Sequence, residues 1–347
     1  MQATVPRLRP LGIGDLFDTI FRLYRNNFLV FIGIAALIQI PMILIQMALE
    51  VALGRQSTAD LMQIINELPF FNPQTDSVTV LPIANPLLYY GLSFVLALLQ
   101  IIVVQQLLNG AMANAIARRY LGQPVSVLEA YNFGARRLSA LLIVGVLVAI
   151  LTIVVAVVLG GIYVGGLFLM VSVAATQSGA MAAVAAILAL LLMLLLLIVA
   201  VIVFAMIALR FLFVTQAVVL EDHGPLGALR RSWQLIRGSF WRVLGIVVLL
   251  MILVQIVVWI PMMIMTMVLS FTFGNAADPL QNYLLRQSIT VLTSYAAQIL
   301  VLPVYLSAYT LLYYDLRVRR EGYDLQLRAA HVANLNTGEQ ALTGMGE

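Results

Sequence analysis

Long apolar runs dominate this chain, and short arginine-bearing segments with a helical period separate them. In the opening stretch, Ile13, Leu16, Phe17, Ile20, Phe21 and Tyr24 recur at i, i+3, i+4 spacing, with Asp15, Asp18, Arg22 and Arg25 on the other side. That period predicts an amphipathic helix, one that either lies in a headgroup plane or packs on the protein's own spans. The pattern returns at 125–137 (Val127, Leu128 and Tyr131 against Glu129, Asn132, Arg136 and Arg137). It returns again at 226–237, with Leu229, Trp233 and Ile236 against Arg230, Arg231, Gln234 and Arg237. Apolar runs follow at 28–48, 87–117, 138–209, 241–271 and 289–314. The 72 residues of 138–209 carry no charge and read as two spans joined near Gln177-Ser178-Gly179, since about 20 residues cross a bilayer. Six spans result, the first expected to be retained rather than cleaved as a leader. Pro41 and Pro303 are expected to interrupt spans 1 and 6. The GxxxG spacing of Gly161 and Gly165 predicts either close helix packing or a loosened outer end of span 3. The polar excursion 50–86 predicts a small helix capped by Ser57 or Thr58, then an irregular loop through Phe70, Phe71, Pro73 and Pro82.

The landmarks repeat. Gly12, Arg25, Phe28 and Gly33 precede Gly224, Arg237, Phe240 and Gly245 by one offset of 212 positions, and Arg137 and Gly145 follow Arg25 and Gly33 by 112. Ile40-Pro41-Met42 is echoed by Ile260-Pro261-Met262. The expected fold is an all-α membrane protein of six transmembrane helices in three parallel repeats, about 9–119, 122–222 and 224–320. Each repeat is an interfacial amphipathic helix followed by a transmembrane hairpin. A single membrane domain, 1–330, precedes a disordered polar tail, 331–347.

Charge adds orientation. All 19 basic residues are arginine, and 17 of them fall on one side of the six-span scheme, with only Arg55 and Arg286 on the other. The positive-inside rule then places both termini in the cytoplasm. A net charge of +4 is explained by that topology without nucleic acid. Charged residues make up 10% of the chain and apolar ones 63%, with a mean hydropathy of +1.03, far from the roughly 25% charge of a soluble domain.

Candidate chemistry is sparse. There is no cysteine, the two histidines (His223 and His331) lack partners at metal-ligand spacing, and no nucleophile elbow, phosphate loop or zinc-binding HExxH occurs. No cofactor or metal is expected, and an enzyme is not the expected reading. Inside the spans the polar residues are amides and hydroxyls. Gln100, Gln105, Gln106, Asn109 and Gln298 are candidates either for lining a polar path or for bonding neighbouring helices. Arg25, Arg137, Arg237 and Arg319 are candidates for contacts with anionic lipid headgroups or a partner membrane protein, because a planar guanidinium suits phosphate.

The opening RPLGIGDLFDTIFRLYRNNF and the closing YYDLRVRREGYDLQ resemble the membrane domain associated with bacterial glycerophosphoryl diester phosphodiesterases and its stand-alone relatives. The resemblance implies the membrane half alone, because the His-Arg of the soluble catalytic barrel has no counterpart here. The expected role is a non-enzymatic scaffold or accessory factor in a lipid- or envelope-related process. The alternatives are a transporter or flippase-like protein for a neutral or amphiphilic solute, and an accessory subunit of a larger membrane complex.

Overall fold

A backbone in hydrocarbon must satisfy its own hydrogen bonds, which favours unbroken helices. In the computed structural model, residues 10–67, 82–175, 180–273, 279–326 and 329 are described, and every regular element among them is helical. In chain order these are α1 (Ile13–Asn26), α2 (Phe28–Leu49), α3 (Arg55–Glu67), α4 (Ala84–Leu99), α5 (Gln105–Tyr120) and α6 (Val127–Arg136). Then follow α7 (Leu138–Ala175), α8 (Ala180–Arg210), α9 (Val214–Glu221), α10 (Pro225–Ile236), α11 (Phe240–Phe273) and α12 (Pro279–Glu321). Wider π turns, Glu50–Gly54 and Gln100–Val104, join α2 to α3 and α4 to α5 without ending the helix. Among the described residues six helices are long and apolar enough to cross a membrane. The chain is a multi-pass membrane protein.

Two compact units form, one of residues 1–138 with 245–347 and one of residues 139–244. In the first, α2, α5 and α12 pack together, with α1 laid on α12 and α6 laid across α5 and α2. Small residues allow the approach. On α5, Gly110, Ala111, Ala113, Ala115 and Ala117 are buried together with Leu108, Met112, Asn114 and Ile116, and a Cβ on Gly134 of α6 would stand 3.0 Å from the Ala111 backbone nitrogen. Burial is concentrated where the arginines are: Leu108 to Ala117 on α5, Phe31 to Ile43 on α2 and Val304 to Val318 on α12. The far halves of the helices expose Leu87, Phe94 and Val95 on α4. Hydrocarbon, unlike water, exacts little for that. Helix direction in this unit puts Arg22, Arg25, Arg118, Arg119, Arg136, Arg137, Arg317, Arg319 and Arg320 at one end and Arg55 and Arg286 at the other.

In the second unit, α10 packs on α9 and on the end of α8. Ser232 donates to the Arg210 carbonyl (2.8 Å) and accepts from the Phe213 amide (3.2 Å), which closes the turn between α8 and α9. Asp222 takes a left-handed conformation (φ 58°) and ends α9, and Pro225 opens α10.

Several sequence expectations change. Helices α2, α11 and α12 run through Pro41, Pro261 and Pro303 unbroken. One lost backbone bond costs less than the several an ended helix would expose in lipid. Neither Gly161 nor Gly165 meets another helix, so the GxxxG pair packs nothing among the described residues, and α7 continues past both to Ala175. The helix expected after Ser57 is continuous with α2 rather than freshly capped. Ser57 instead donates to the Asn85 carbonyl (3.0 Å) and Thr58 to that of Gly54 (2.7 Å). The expected loop through Phe70, Phe71 and Pro73, the turn at 177–179 and the tail 331–347 lie outside the described residues.

Candidate functional site

Each amphipathic helix ends one to three residues before a span, at Asn27, Arg137 and Arg237–Ser239. Arg25 lies in the last turn of α1, while Arg137 and Arg237 cap α6 and α10. A cation there is favoured by the helix dipole by a few tenths to 1 kcal/mol. Arg25 and Arg237 are exposed and Arg137 is half-buried. Arg25 and Arg137 belong to the first unit, Arg237 to the second.

Each amphipathic helix buries part of the apolar set read from its sequence and turns the rest outward. On α10 the buried stripe is Ala228, Ser232, Leu235 and Ile236, while Leu226 (74% exposed) and Trp233 (43%) point outward. On α6 it is Ala130, Tyr131 and Gly134, with Leu128 outward. On α1, Leu16 and Ile20 are buried and Ile13 and Phe21 are exposed. Small residues admit close helix contact, and large apolar side chains lose little by facing lipid. Outward apolar side chains accompany the arginines in each unit, Phe21, Phe28 and Leu128 in the first and Leu226, Trp233 and Trp241 in the second. The guanidinium carbon of Arg210 lies over the Trp233 ring, 4.4 Å from its centre.

Other groups at this level hold the structure. Tyr131 donates to the Ile34 carbonyl, and burial pushes its phenol pKa upward. Ser126 and Glu129 form a reciprocal capping box on α6, and the Ser126 amide and hydroxyl hold the Glu129 carboxyl below its usual range. Arg231 grips Glu221 through two bonds of 2.7 and 2.9 Å, with His223 on the same carboxylate at 3.1 Å.

Arg319 has an internal task. Its guanidinium bonds both oxygens of Asp315 at 3.0 Å and the Leu11 carbonyl at 2.7 Å, while Asp315 accepts from the Leu11 amide at 2.8 Å. The opening and closing motifs therefore clamp each other. Sequence reasoning missed Asp315, although its i, i+4 spacing to Arg319 was the available signal. Arg119 repeats the contact locally, donating to the Val125 carbonyl (2.9 Å) just before α6.

The span amides separate into two sets. Gln100 donates to the fully buried Gln39 (2.9 Å), Gln105 to Asn109 (3.0 Å), and Tyr295 to Gln46. Gln106 is half-buried on α5. Gln298, by contrast, is exposed and lines a recess between α11 and α12 with Gln255. Among the described residues no group of three or more His, Cys, Asp or Glu is placed to hold a metal ion.

No curated protein and no solved structure matches the chain. A family model described as a domain of unknown function, DUF7847, matches residues 17–314. That match covers five of the six spans and most of the last, so the chain is a member of the DUF7847 family.

Proposed function

We propose that this protein is a non-enzymatic membrane scaffold whose arginine-bearing collar holds anionic lipid headgroups in a lipid- or envelope-related process. It is read as a bacterial inner-membrane protein of three parallel repeats with cytoplasmic termini. The three short-helix-then-span elements and the resemblance of the end motifs to a phosphodiesterase membrane domain support that reading. The observation that carries it is the set of large apolar side chains left outward on the amphipathic helices. Leu16, Ile20, Tyr131, Leu235 and Ile236 face the protein with small residues between them, while Phe21, Leu128, Leu226 and Trp233 stand outward on helices that end at Arg25, Arg137 and Arg237. Aromatic and aliphatic groups at the acyl boundary with guanidinium at the phosphates is the arrangement of an interfacial helix.

Quenching of tryptophan by brominated lipids in vesicles tests this. Trp233 and Trp241 report on the neighbourhood of Arg237, and Trp259 is replaced by Phe to remove its background. Preference for brominated phosphatidylglycerol over brominated phosphatidylcholine is expected to fall about fivefold in Arg237→Gln, from the roughly 1 kcal/mol carried by one basic residue near an anionic surface. The triple variant Arg25→Gln, Arg137→Gln, Arg237→Gln is expected to release phosphatidylglycerol co-purified with the protein. Unchanged preference and unchanged lipid content would refute the collar.

A further inference from the structure

The amides that are not consumed by helix packing mark a separate place. Between α11 and α12 lies a recess of about 180 Å³, whose walls include Val258, Met262 and Val301 and whose polar side chains are Gln255, Gln298, Tyr305 and Ser294, the last already donating to the Thr290 carbonyl (2.7 Å). Gln298 is 12 residues from Arg286 and Gln255 is 13 from Arg242, so each lies about 18–20 Å along its span from the nearest charged end. That is mid-bilayer depth in a hydrocarbon core about 30 Å thick. Gln255, Ser294 and Gln298 are exposed. An amide facing hydrocarbon without a partner costs several kcal/mol. Whatever fills the recess must therefore supply hydrogen-bonding atoms at a depth where phospholipids present only acyl chains.

We infer that this recess binds an uncharged single-chain lipid with a small oxygen-bearing head, a hydroxyl or carbonyl, seated against Gln255, Ser294 and Gln298. The lining contains no side chain that is charged at neutral pH, so nothing there offsets the desolvation of a carboxylate or phosphate. The volume equals about six water molecules at roughly 30 Å³ each, enough for a small head and its first few carbons. It is below the roughly 300 Å³ at which pockets enclose whole drug-sized ligands, so the rest of the chain stays in the bilayer. A hydroxyl can be brought to this depth for a few kcal/mol, which the two amides and the serine return. This inference does not depend on the collar, whose lipids are anionic and bind at the opposite chemistry.

The test is photolabelling of the full chain in vesicles with a long-chain alcohol carrying a chain-borne diazirine. An alkane and a fatty acid with the same diazirine serve as comparators. The alcohol is expected to label peptides covering 254–262 and 294–305 at least fivefold more than either comparator, with excess unlabelled alcohol removing the signal. In Gln255→Leu with Gln298→Leu the labelling is expected to fall to the alkane level. Because the wild-type competition experiment needs no variant, a misfolded variant leaves the test intact. Equal labelling by alcohol and alkane, or labelling spread evenly over α7 and α8, would overturn the inference. Disulfide formation between two copies through Ser294→Cys, in a chain with no other cysteine, would overturn it as well, since a second copy would then cover the mouth.

Discussion

Replacing Asp315 by Asn removes one charge from the clamp and almost nothing else. Asp315 is 2% exposed, and its carboxylate takes the Leu11 amide (2.8 Å) and two bonds from the Arg319 Nε (3.0 Å each). Removing one partner of a fully buried ion pair costs about 3–5 kcal/mol. The Arg319 side chain is 33% exposed, so water screens part of the interaction and a loss of about 2–3 kcal/mol follows. At about 1.4 kcal/mol per factor of ten, the Leu11 amide and the first turn of α1 should exchange hydrogen roughly 30- to 140-fold faster. Hydrogen–deuterium exchange with mass spectrometry on peptides spanning 10–20 reads this in detergent or nanodiscs, with α10 peptides as the internal reference. Arg319→Gln loses the Leu11 carbonyl bond as well and should accelerate exchange at least as much. The double variant should fall short of the sum of the two singles. Additive singles, or unchanged exchange at 10–20, would show that the two ends of the chain do not hold each other.

Gly134→Leu should lower the melting temperature sharply, because its Cβ falls 3.0 Å from the Ala111 nitrogen and 3.2 Å from the Leu107 carbonyl, backbone that cannot swing aside. A cost of about 3 kcal/mol is expected from overpacking, whereas Gly160→Leu, which meets nothing within 4 Å, should leave the melt unchanged. Gln100→Leu takes the donor from fully buried Gln39 and should cost about 1–3 kcal/mol, while adding Gln39→Leu should restore most of it. Chemical unfolding in detergent checks both variants, and a double variant no better than the single refutes the pairing. The Glu129 carboxyl is held below its usual range, so its contribution to the α6 cap is complete above the ordinary glutamate pKa. It is lost as pH falls through the lower folded-state value. Exchange of α6 amides should therefore rise at acid pH in the wild type and be already raised and pH-insensitive in Glu129→Gln.

The amphipathic helices and the spans could be located from sequence because their signals are local. The apolar run of 28–48 is α2, and the Ile13 to Tyr24 period is α1, each within a residue or two. Breaks at Asn27, Arg137 and Arg237 sit where the arginine landmarks recur. Proline and glycine signals misled, since Pro41, Pro303, Gly161 and Gly165 carry turn and packing rules taken from settings where water or a facing helix is the alternative.

Tertiary structure alone decided which faces turn inward and which polar groups meet. The period of α10 points to Leu229, Trp233 and Ile236; Ile236 is buried, but with Ala228, Ser232 and Leu235, while Trp233 stands out beneath Arg210. An amphipathic period measures preference against water. Where the competing solvent is lipid, a large apolar side chain is at home outside, and closeness of backbones chooses the inner face. Gln39 with Gln100, and Leu11 with Asp315 and Arg319, are separated by 61 and by more than 300 positions. Their meeting depends on helices α2, α4 and α12 being assembled, which no spacing along the chain encodes.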